Sequence, residues 1–335
     1  GGWPSPVLPI GEWSFPVAFA EGGYTSEIPV ISASHVGKGR MLGYGHESWV
    51  YGSGGVEETS FSLRAVEWAC GVNAEVGLAY GAGFDGFQDE LESEGHTVHT
   101  SVTPDNLSGV DCLLDEFWNG HDDDDNANIV SFLLDGGGVI MGGHAWYWSY
   151  SNTDVAHNYP GNKIAKDTGL FVSNAWGYNE MDMSEIPHEL SRPRAAIDAI
   201  RGDRIEGQTL SVEEASIADS TLSLCTSVVS LDFDDFWSPL REVVNQTGWT
   251  VIEYGTLWDD VGYDFGEDPV ADTLLRVESA LTQGLPADEL PSHPSHQEFP
   301  GAVPANASRV VRTVSIDGNQ SGLPSNFGYS SARAH

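Results

Sequence analysis

The sequence predicts an α/β fold in which helices cover both faces of a parallel sheet. Between residues 56 and 142, short apolar runs alternate with segments of helical periodicity, and the connections between them are short. Such alternation is typical of parallel sheets. Residues 1–55 are rich in Gly, Pro and aromatic residues and contain strand-like runs. We therefore expect a β-rich segment to precede the alternating part.

The individual elements are predicted from the periodicity of apolar residues and from the glycine or proline residues that interrupt it. Strands are expected at Val17–Ala20, Ile28–Ser32, Arg40–Tyr44, Val76–Tyr80, Thr97–Val102, Asp111–Phe117, Val139–Met141, Trp249–Tyr254 and Val310–Ile316. Helices are expected from Glu57 to Gly71 and at Phe84–Glu94, Asn126–Leu134, Ala195–Ile200, Val212–Ser227 and Val270–Leu281. The four strands between residues 76 and 141 should be parallel neighbours in one sheet.

Three domain segments are predicted. Residues 1–284 form the α/β domain, residues 285–305 carry five prolines and are typical of a linker, and residues 306–335 resemble the truncated start of a β-module. Within the first segment, Ser151–Ser191 is polar and too long for a simple connection, so it is expected to be a structured or functional loop. Its part Asn158–Ile164 should fold back over Gly142–His144, with Lys163 facing a carboxylate.

The stretch Gly136–Tyr150, GGGVIMGGHAWYWSY, is the first candidate for a site. Ligands of open α/β sheets collect beyond the carboxyl ends of parallel strands, and here a Gly-Gly turn presents His144 and three large aromatic residues. A nucleophile elbow would place Ser or Cys at such a turn, so no catalytic residue is predicted. The candidate binding residues are His46, Glu47, Trp49, His144, Trp146, Trp148, Asn158, Asn162 and Lys163. The alternative for the aromatic residues is packing in a core or loop.

The charge of the chain limits its partners. Lys and Arg number 14 against 50 Asp and Glu, which gives a net charge of −36. Such a field repels nucleic acid and anionic membranes, and no apolar run approaches the roughly 18 residues of a membrane helix. We therefore expect a protein or glycan partner, or self-assembly, rather than nucleic acid or membrane insertion. The acidity is typical of a solubilising surface, and the expected location is extracellular or at the cell surface.

Cysteine and glycosylation signals are weak. Cys112 lies in an apolar run and is expected to be a buried free thiol, although one bridge among Cys70, Cys112 and Cys225 stays open. The Asn-x-Ser/Thr pattern marks four acceptor asparagines for N-glycosylation in a secretory pathway: Asn106, Asn245, Asn306 and Asn319.

No cofactor is expected, although two motifs point towards one. Residues 81–86, GAGFDG, match a dinucleotide fingerprint but lack a clear acidic partner for a ribose. Asp122, Asp123, Asp124 and Asp125 could bind calcium, whereas their position before a helix favours a capping role. The zinc motif H-E-x-x-H is not completed at His46 or at His188.

Several stretches resemble one protein family. Gly137–Trp148, Asn158–Ile164, Thr168–Leu170 and Gly43–Glu47 are similar to the glutamine-amidotransferase-like domain of enhancin-type, mucin-degrading metallopeptidases, a domain that TRP-channel-associated factors share. The proline-rich segment Pro291–Pro304 and Arg312–Ile316 resemble the passage to the following β-module. The resemblance implies a flavodoxin-like, class I glutamine-amidotransferase-like sheet. The peptidase half of that family is absent from this sequence, and His144 stands where an amidotransferase has its Cys.

Three functional hypotheses follow. The first is a non-catalytic accessory module of a secreted or surface protein, a pseudoenzyme that binds a protein or a glycan. The second is a hydrolase that uses His46, Glu47 and His144 as acid–base groups or metal ligands, which requires these side chains to converge. The third is a structural building block of an extracellular surface assembly.

Overall fold

The computed structural model describes residues 3–22, 28–52, 56–79, 84, 86–182, 187–230, 233–247, 251–256, 273–278, 309–313 and 331–332. The chain divides into two compact units, Gly1–His188 and Glu189–His335. The sequence predicts one α/β domain over residues 1–284. The expected linker at residues 285–305 lies outside the described residues.

Unit 1 contains seven helices and ten strands among its described residues. The helices are α1 (Glu47–Val50), α2 (Val56–Cys70), α3 (Phe87–Ser93), α4 (Asp123–Asp135), α5 (Ala145–Ser149), α6 (Val155–Asn158) and α7 (Pro160–Ala165). The strands are β1 (Val7–Pro9), β2 (Ser14–Gly22), β3 (Ile28–Val36), β4 (Gly39–Tyr44), β5 (Glu75–Ala79), β6 (Thr97–Val102), β7 (Cys112–Glu116), β8 (Gly138–Gly142), β9 (Leu170–Val172) and β10 (Gly177–Asp182).

A mixed eight-stranded sheet organises unit 1, in the order β10-β2-β3-β4-β8-β7-β5-β6. The strands β4, β8, β7, β5 and β6 run parallel, whereas β10, β2 and β3 join them through antiparallel pairs. The prediction of four neighbouring parallel strands between residues 76 and 141 is therefore confirmed. The β-rich entry supplies the antiparallel side of the sheet, and β1 pairs with β9 in a separate two-stranded sheet.

Helices cover both faces of the parallel part. Successive side chains of a strand point to opposite faces. A β-carbon on Gly138 would meet Sγ of Cys70, at the end of α2, at 2.6 Å, whereas Val139 belongs to the same core cluster as Ile129 and Leu133 of α4. All five residues of β8 are buried, which explains the near-continuous apolar run in the sequence.

A disulfide joins Cys70 to Cys112, and it links the end of α2 to the start of β7. Cys112 is buried as expected, but the prediction that it is a free thiol is wrong. The free cysteine is Cys225, in unit 2, which is also buried. Sequence alone could not pair Cys70 with Cys112, because the two residues meet only when α2 packs on the sheet.

The segment Ser151–Ser191 is not one long loop. It contains α6, α7, β9 and β10, as well as single turns of 3₁₀ helix at Lys166–Thr168 and Glu189–Ser191. Proline at the first position of α7 explains why Pro160-Gly161 begins a helix instead of a turn. The segment therefore contributes core residues such as Tyr159 and Ile164.

Unit 2 contains α8 (Pro193–Ile205), α9 (Val212–Val228) and α10 (Asp234–Thr247), followed by β11 (Val251–Thr256), β12 (Thr273–Glu278), β13 (Arg309–Thr313) and β14 (Ser331–Ala332). The strands form one sheet in this order. The helix predicted at Val270–Leu281 is wrong, because β12 occupies Thr273–Glu278. The helix α10 is not among the predicted elements, and Pro239 lies inside it.

In the part of the chain that the structure describes, no helix combines the length and the apolar character that crossing a membrane requires. The possible glycosylation sites fall in different places. Asn106 is exposed in a loop and Asn245 lies in α10, whereas Asn306 and Asn319 lie outside the described residues.

Candidate functional site at the carboxyl ends of three strands

The register of the sheet brings three chain segments to one edge. Tyr44 of β4 pairs with Gly142 of β8, and Gly142 also pairs with Glu116 of β7. The three strands therefore end at the same level. The ladder continues for one more residue, since Gly143 N–H donates to the carbonyl of Tyr44 at 3.1 Å and Phe117 N–H donates to that of Gly142 at 2.8 Å. The residues that follow the strands must lie close together.

The segment after β4 turns at once into the short helix α1. His46 is its N-cap residue, and Nδ1 of His46 accepts a hydrogen bond from the Ser48 backbone N–H at 3.2 Å. Glu47 is the first residue of the helix. A β-carbon on Gly142 would lie 2.9 Å from the His46 carbonyl oxygen and 3.2 Å from Cα of Glu47. Glycine at this position therefore allows α1 to approach β8 closely enough to bring Glu47 to the next segment.

His46, Glu47 and His144 converge, as the hydrolase hypothesis requires. Nδ1 of His144 lies 2.7 Å from Oε2 of Glu47, and Nδ1 of His46 lies 3.6 Å from the same oxygen. The two imidazole rings stack with centroids 4.5 Å apart and an interplanar angle of 16°. All three residues are partly buried. The sequence separated them by nearly a hundred residues, and the parallel register brings them together.

The electrostatics of the cluster favour an ionised Glu47 and a neutral His46. Burial alone would raise the pKa of Glu47, but the hydrogen bond from His144 and the charges of the two imidazoles outweigh it and lower this pKa from 4.5 to about 2. Burial lowers the pKa of His46, and His144 adds to this effect while Glu47 opposes it. Because an ionised carboxylate only accepts hydrogen bonds, Nδ1 of His144 is the donor and its Nε2 carries the lone pair when the ring is neutral.

Trp118, which the sequence analysis did not select, belongs to this cluster. Its Nε1–H donates to Oε2 of Glu47 at 3.2 Å, and its ring stands edge-on to His144 at 4.9 Å between centroids. Trp118 follows β7 by two residues, so the rule that ligands collect at strand ends could have identified it. Trp118 and His144 therefore both contact Oε2 of Glu47, and the Trp118 ring packs against the imidazole of His144.

Two polar groups pack closely against the backbone at Gly143, next to this cluster. A β-carbon there would be 2.7 Å from Oη of Tyr159 and 3.1 Å from Nε1 of Trp118. Tyr159 is fully buried, and its hydroxyl has no hydrogen-bond partner among the residues that the structure describes. Burial first, then the charges of Glu47 and Glu116, raise the pKa of Tyr159 well above its ordinary value. The hydroxyl therefore stays protonated.

A group of exposed and half-buried aromatic rings extends from His144. We call it the aromatic surface, and it comprises Trp3, Trp146, Tyr147, Tyr150, Trp176 and Tyr178. Neighbouring rings are 5.0–6.0 Å apart between centroids, and Trp146 and Tyr147 lie 5.3 and 5.6 Å from His144. Trp3 is 49% exposed and Tyr147 is 56% exposed. Trp146 is held there by its Nε1–H, which donates to the Trp3 carbonyl at 2.6 Å.

The other candidate binding residues have mainly internal contacts. Trp49 is buried, and Trp148 packs against Tyr159 with centroids 5.7 Å apart. Asn162 is buried; its amide nitrogen donates to the carbonyls of Val155 and Val172, and its oxygen accepts from Val172 N–H. All of these bonds brace the backbone.

Asn158 and Lys163 complete the segment. Asn158 is exposed, with its amide directed at the Thr153 carbonyl at 3.3 Å. The expectation that Lys163 faces a carboxylate is wrong for the described part of the chain, where Lys163 forms no ion pair. The expected approach of this segment to the turn at Gly142–His144 is confirmed. It is made by Tyr159, which lies against Gly143, and by Gly161, where an added β-carbon would be 2.7 Å from the Phe117 ring.

The acidic run before α4 caps the helix. Oδ1 of Asp122 accepts from the backbone N–H groups of Asp124 and Asp125 at 3.0 and 2.9 Å. His121 beside it pairs with the buried Asp115 at 2.7 Å. Within the described residues, the set of three ligand side chains with atoms inside 4.8 Å of one another is His46, Glu47 and His144, and it does not include this run. The fingerprint at residues 81–86 falls largely outside the described residues.

The comparisons with known proteins concern mainly unit 1. A family model described as "TRPM8, N-terminal domain" matches residues 1–184. A TRPM8 channel-associated factor homolog from Xenopus laevis is 31% identical over 176 residues, which are 52% of this chain and 18% of that protein. TRPM8 channel-associated factor 2 from Homo sapiens is 31% identical over 177 residues, again 52% and 18%. The Danio rerio homolog is 27% identical over 246 residues, 69% of this chain and 24% of that protein. The chain thus spans about a fifth of the length of these relatives.

Two solved structures are also similar. The IMPa metallopeptidase in complex with T-antigen aligns with 73% of this chain and 33% of its own, at 15% identity and a TM-score of 0.41. IMPa from Pseudomonas aeruginosa in complex with an O-glycopeptide aligns with 66% and 31%, at 14% identity and a TM-score of 0.40.

Proposed function

The chain belongs to the family described as "TRPM8, N-terminal domain", and from this membership we propose that it is a non-catalytic module that binds a protein partner through the aromatic surface. The observation that carries the proposal is the exposure of neighbouring Trp and Tyr rings around His144. Trp and Tyr are enriched at the energetic centres of protein interfaces, and a contiguous exposed apolar patch marks an interaction site.

The relatives support a protein as the partner, since their names describe association with the TRPM8 channel. The net charge of −36 adds a preference for a partner with a basic surface, because complementary charge accelerates association. A glycan is the alternative ligand, since carbohydrate rings also stack on exposed Trp and Tyr. The third alternative is another copy of this chain, bound to the same surface in an extracellular surface assembly.

The proposal includes a fold and a location. We assign unit 1 to the flavodoxin-like, amidotransferase-like class, supported by the parallel strands β4, β8, β7, β5 and β6 and by a Gly-Gly turn after β8. The residue after that turn is His144, so the amidotransferase nucleophile is missing. An extracellular or cell-surface location is supported by the disulfide between Cys70 and Cys112, because disulfides persist in oxidising environments.

Binding to the purified TRPM8 channel and to an array of mucin-type glycans tests the proposal. Replacing Tyr147 and Tyr150 by Ser should weaken channel binding at least about tenfold, as loss of interface aromatics does. Trp13→Ala is the matched control, because Trp13 is 64% exposed in unit 1 but is not part of the aromatic surface. If the double variant binds the channel with unchanged affinity, the aromatic surface is not part of the interface. If the chain binds glycans but not the channel, its ligand is a carbohydrate and not a protein.

A hydrolase is the second candidate, and the convergence of Glu47 with His144 favours it. Glu47 accepts the Nδ1–H of His144, which leaves Nε2 able to take a proton from a water molecule. Hydrolysis of model esters, amides and glycosides, measured with a chelator present, tests this role. Glu47→Gln should lower such activity by at least about a hundredfold, whereas Glu75→Gln, in the exposed pair with His99, should leave it unchanged. Equal rates in both variants would reject the hydrolase.

A further inference from the structure

Two imidazoles and one carboxylate meet at the sheet edge in an arrangement that neither partner binding nor helix capping requires. One ligand atom each from His46, Glu47 and His144 lies within 4.8 Å of the other two. The three groups come from two segments whose positions are fixed by the backbone, since β4 and β8 are paired up to Tyr44 and Gly142. The cluster is therefore held by the sheet and not by flexible surface chains.

We propose that His46, Glu47 and His144 bind one divalent transition-metal ion of the Zn²⁺ class. Imidazole nitrogen with one carboxylate oxygen suits Zn²⁺, Co²⁺ and Ni²⁺, whereas Ca²⁺ and Mg²⁺ prefer oxygen ligands throughout. Three protein ligands leave one position of a tetrahedral ion for water or a partner's side chain. This proposal rests on the ligand geometry and does not depend on the protein-binding role.

The distances are close to those that an ion needs. Bonds of about 2.1 Å at tetrahedral angles place ligand atoms about 3.4 Å apart. The two separations from Oε2 of Glu47, 2.7 Å to His144 and 3.6 Å to His46, lie on either side of this value. The imidazole rings are already nearly parallel and adjacent. Small rotations of the side chains therefore suffice to close the site around an ion.

Neighbouring groups orient the ligands, as the outer shell of a metal site does. Nε1–H of Trp118 donates to Oε2 of Glu47, and ligating carboxylates are generally hydrogen-bonded in this way. Nδ1 of His46 is contacted by Oγ of Ser48 at 2.9 Å, and it would exchange this hydrogen bond for the ion. The rings of Trp118 and Trp146 flank His144 and restrict its rotation. The exposed pair of His99 with Glu75, by contrast, consists of one imidazole and one carboxylate.

Co²⁺ and Zn²⁺ binding by the full chain tests the proposal. The protein is treated with a chelator, desalted, and titrated with Co²⁺ while the visible absorption of the bound ion is recorded; Zn²⁺ is then used to displace it. The wild type should bind one Co²⁺ per chain through two imidazole nitrogens and one carboxylate oxygen. His46→Gln, Glu47→Gln and His144→Gln should each weaken binding at least about a hundredfold, and Trp118→Phe about tenfold, in the range seen for outer-shell partners.

Two matched control variants distinguish metal binding at this site from the nonspecific attraction of cations to an acidic protein. His99→Gln and His157→Gln each remove one imidazole from an exposed pair with a carboxylate, and both should bind Co²⁺ like the wild type. Zn²⁺ should raise the melting temperature of the wild type and of these controls, but not that of His144→Gln. If the wild type binds no Co²⁺, or if all variants bind it equally, the ions are adventitious and the proposal is wrong.

If His144→Gln fails to fold, which its thermal unfolding transition will show, the same comparison is made with Glu47→Gln. Loss of metal binding with retained channel binding would leave the protein-binding role intact. Loss of channel binding in the Tyr147 and Tyr150 double variant with normal Co²⁺ affinity would leave the metal site intact. The two proposals therefore succeed or fail separately.

Discussion

Nδ1 of His144 and Oε2 of Glu47 lie 2.7 Å apart although the two residues are 97 positions apart in the chain. The contact exists because β4 and β8 are parallel neighbours that end at the same level. It joins two very short helices, α1 and α5, at their first turns. The same hydrogen bond also couples folding to the protonation of Glu47.

The stabilising effect of Glu47 should disappear in acid. Its pKa is lowered from 4.5 to about 2 in the folded chain, so its contribution is fully present above pH 4.5 and is lost as the pH falls through about 2. Glu47→Gln should therefore lower the free energy of unfolding by an amount on the order of 1–3 kcal/mol at pH 5. Urea unfolding of both proteins between pH 5 and pH 2 measures the difference. A difference that stays constant over this range contradicts the assigned pKa.

A methyl group on Gly143 should destabilise the site. In Gly143→Ala the new carbon would lie 2.7 Å from Oη of Tyr159 and 3.0 Å from Cβ of Phe117, so buried groups must move. We expect a loss of about 1–3 kcal/mol in the free energy of unfolding. Gly120→Ala is the control, because nothing lies within 4 Å of its added carbon. Equal melting temperatures for the two variants would show that the turn at Gly142–His144 is not tightly packed.

Asn162 should be essential for stability, and Asn158 should not. Asn162→Ala leaves two carbonyls and one N–H of Val155 and Val172 without their buried partner, which should cost about 2–4 kcal/mol. Asn158→Ala removes one long, exposed hydrogen bond and should change stability by less than about 0.5 kcal/mol. Thermal unfolding of both variants provides the comparison. If both substitutions are neutral, the segment from Asn158 to Ile164 does not brace β9.

The disulfide should be visible in a thiol count. Under denaturing conditions without reductant, an alkylating reagent should modify one cysteine per chain, Cys225, and after reduction it should modify three. Closing a loop with a sequence separation of 42 restricts the unfolded chain by roughly 4 kcal/mol in the loop-entropy account. Reduction should therefore lower the melting temperature. Three reactive thiols before reduction would show that Cys70 and Cys112 are not bonded.

The parallel sheet was predictable because its strands are marked locally. The apolar run Val139–Met141 lies between glycines, and α2 ends at Cys70 just before Gly71, as its periodicity suggests. Residues 273–278 could not be assigned in the same way, because a short segment such as Leu274–Val277, with Arg276 among apolar residues, fits a helix or a strand equally well.

The site was predictable only where it follows strand ends. His46, Glu47 and His144 were selected because they follow predicted strands or glycine turns, and the register then brought them together. The contribution of Trp3 was not predictable, because it depends on the pairing of β1 with β9, more than 160 residues along the chain. Trp118 follows the end of β7 and could have been selected by the same rule, whereas its role as a donor to Glu47 follows only from the position of α1.

The alignment of the ends of β4, β7 and β8 has a consequence for immunological work. The exposed rings around His144 come from stretches far apart in the chain, so no linear peptide carries the complete surface. An antibody raised against the folded chain at this edge should recognise a discontinuous epitope, and should fail on a denaturing blot and on a peptide array. Such an antibody would report the integrity of the sheet edge itself, independently of whether any ligand is known.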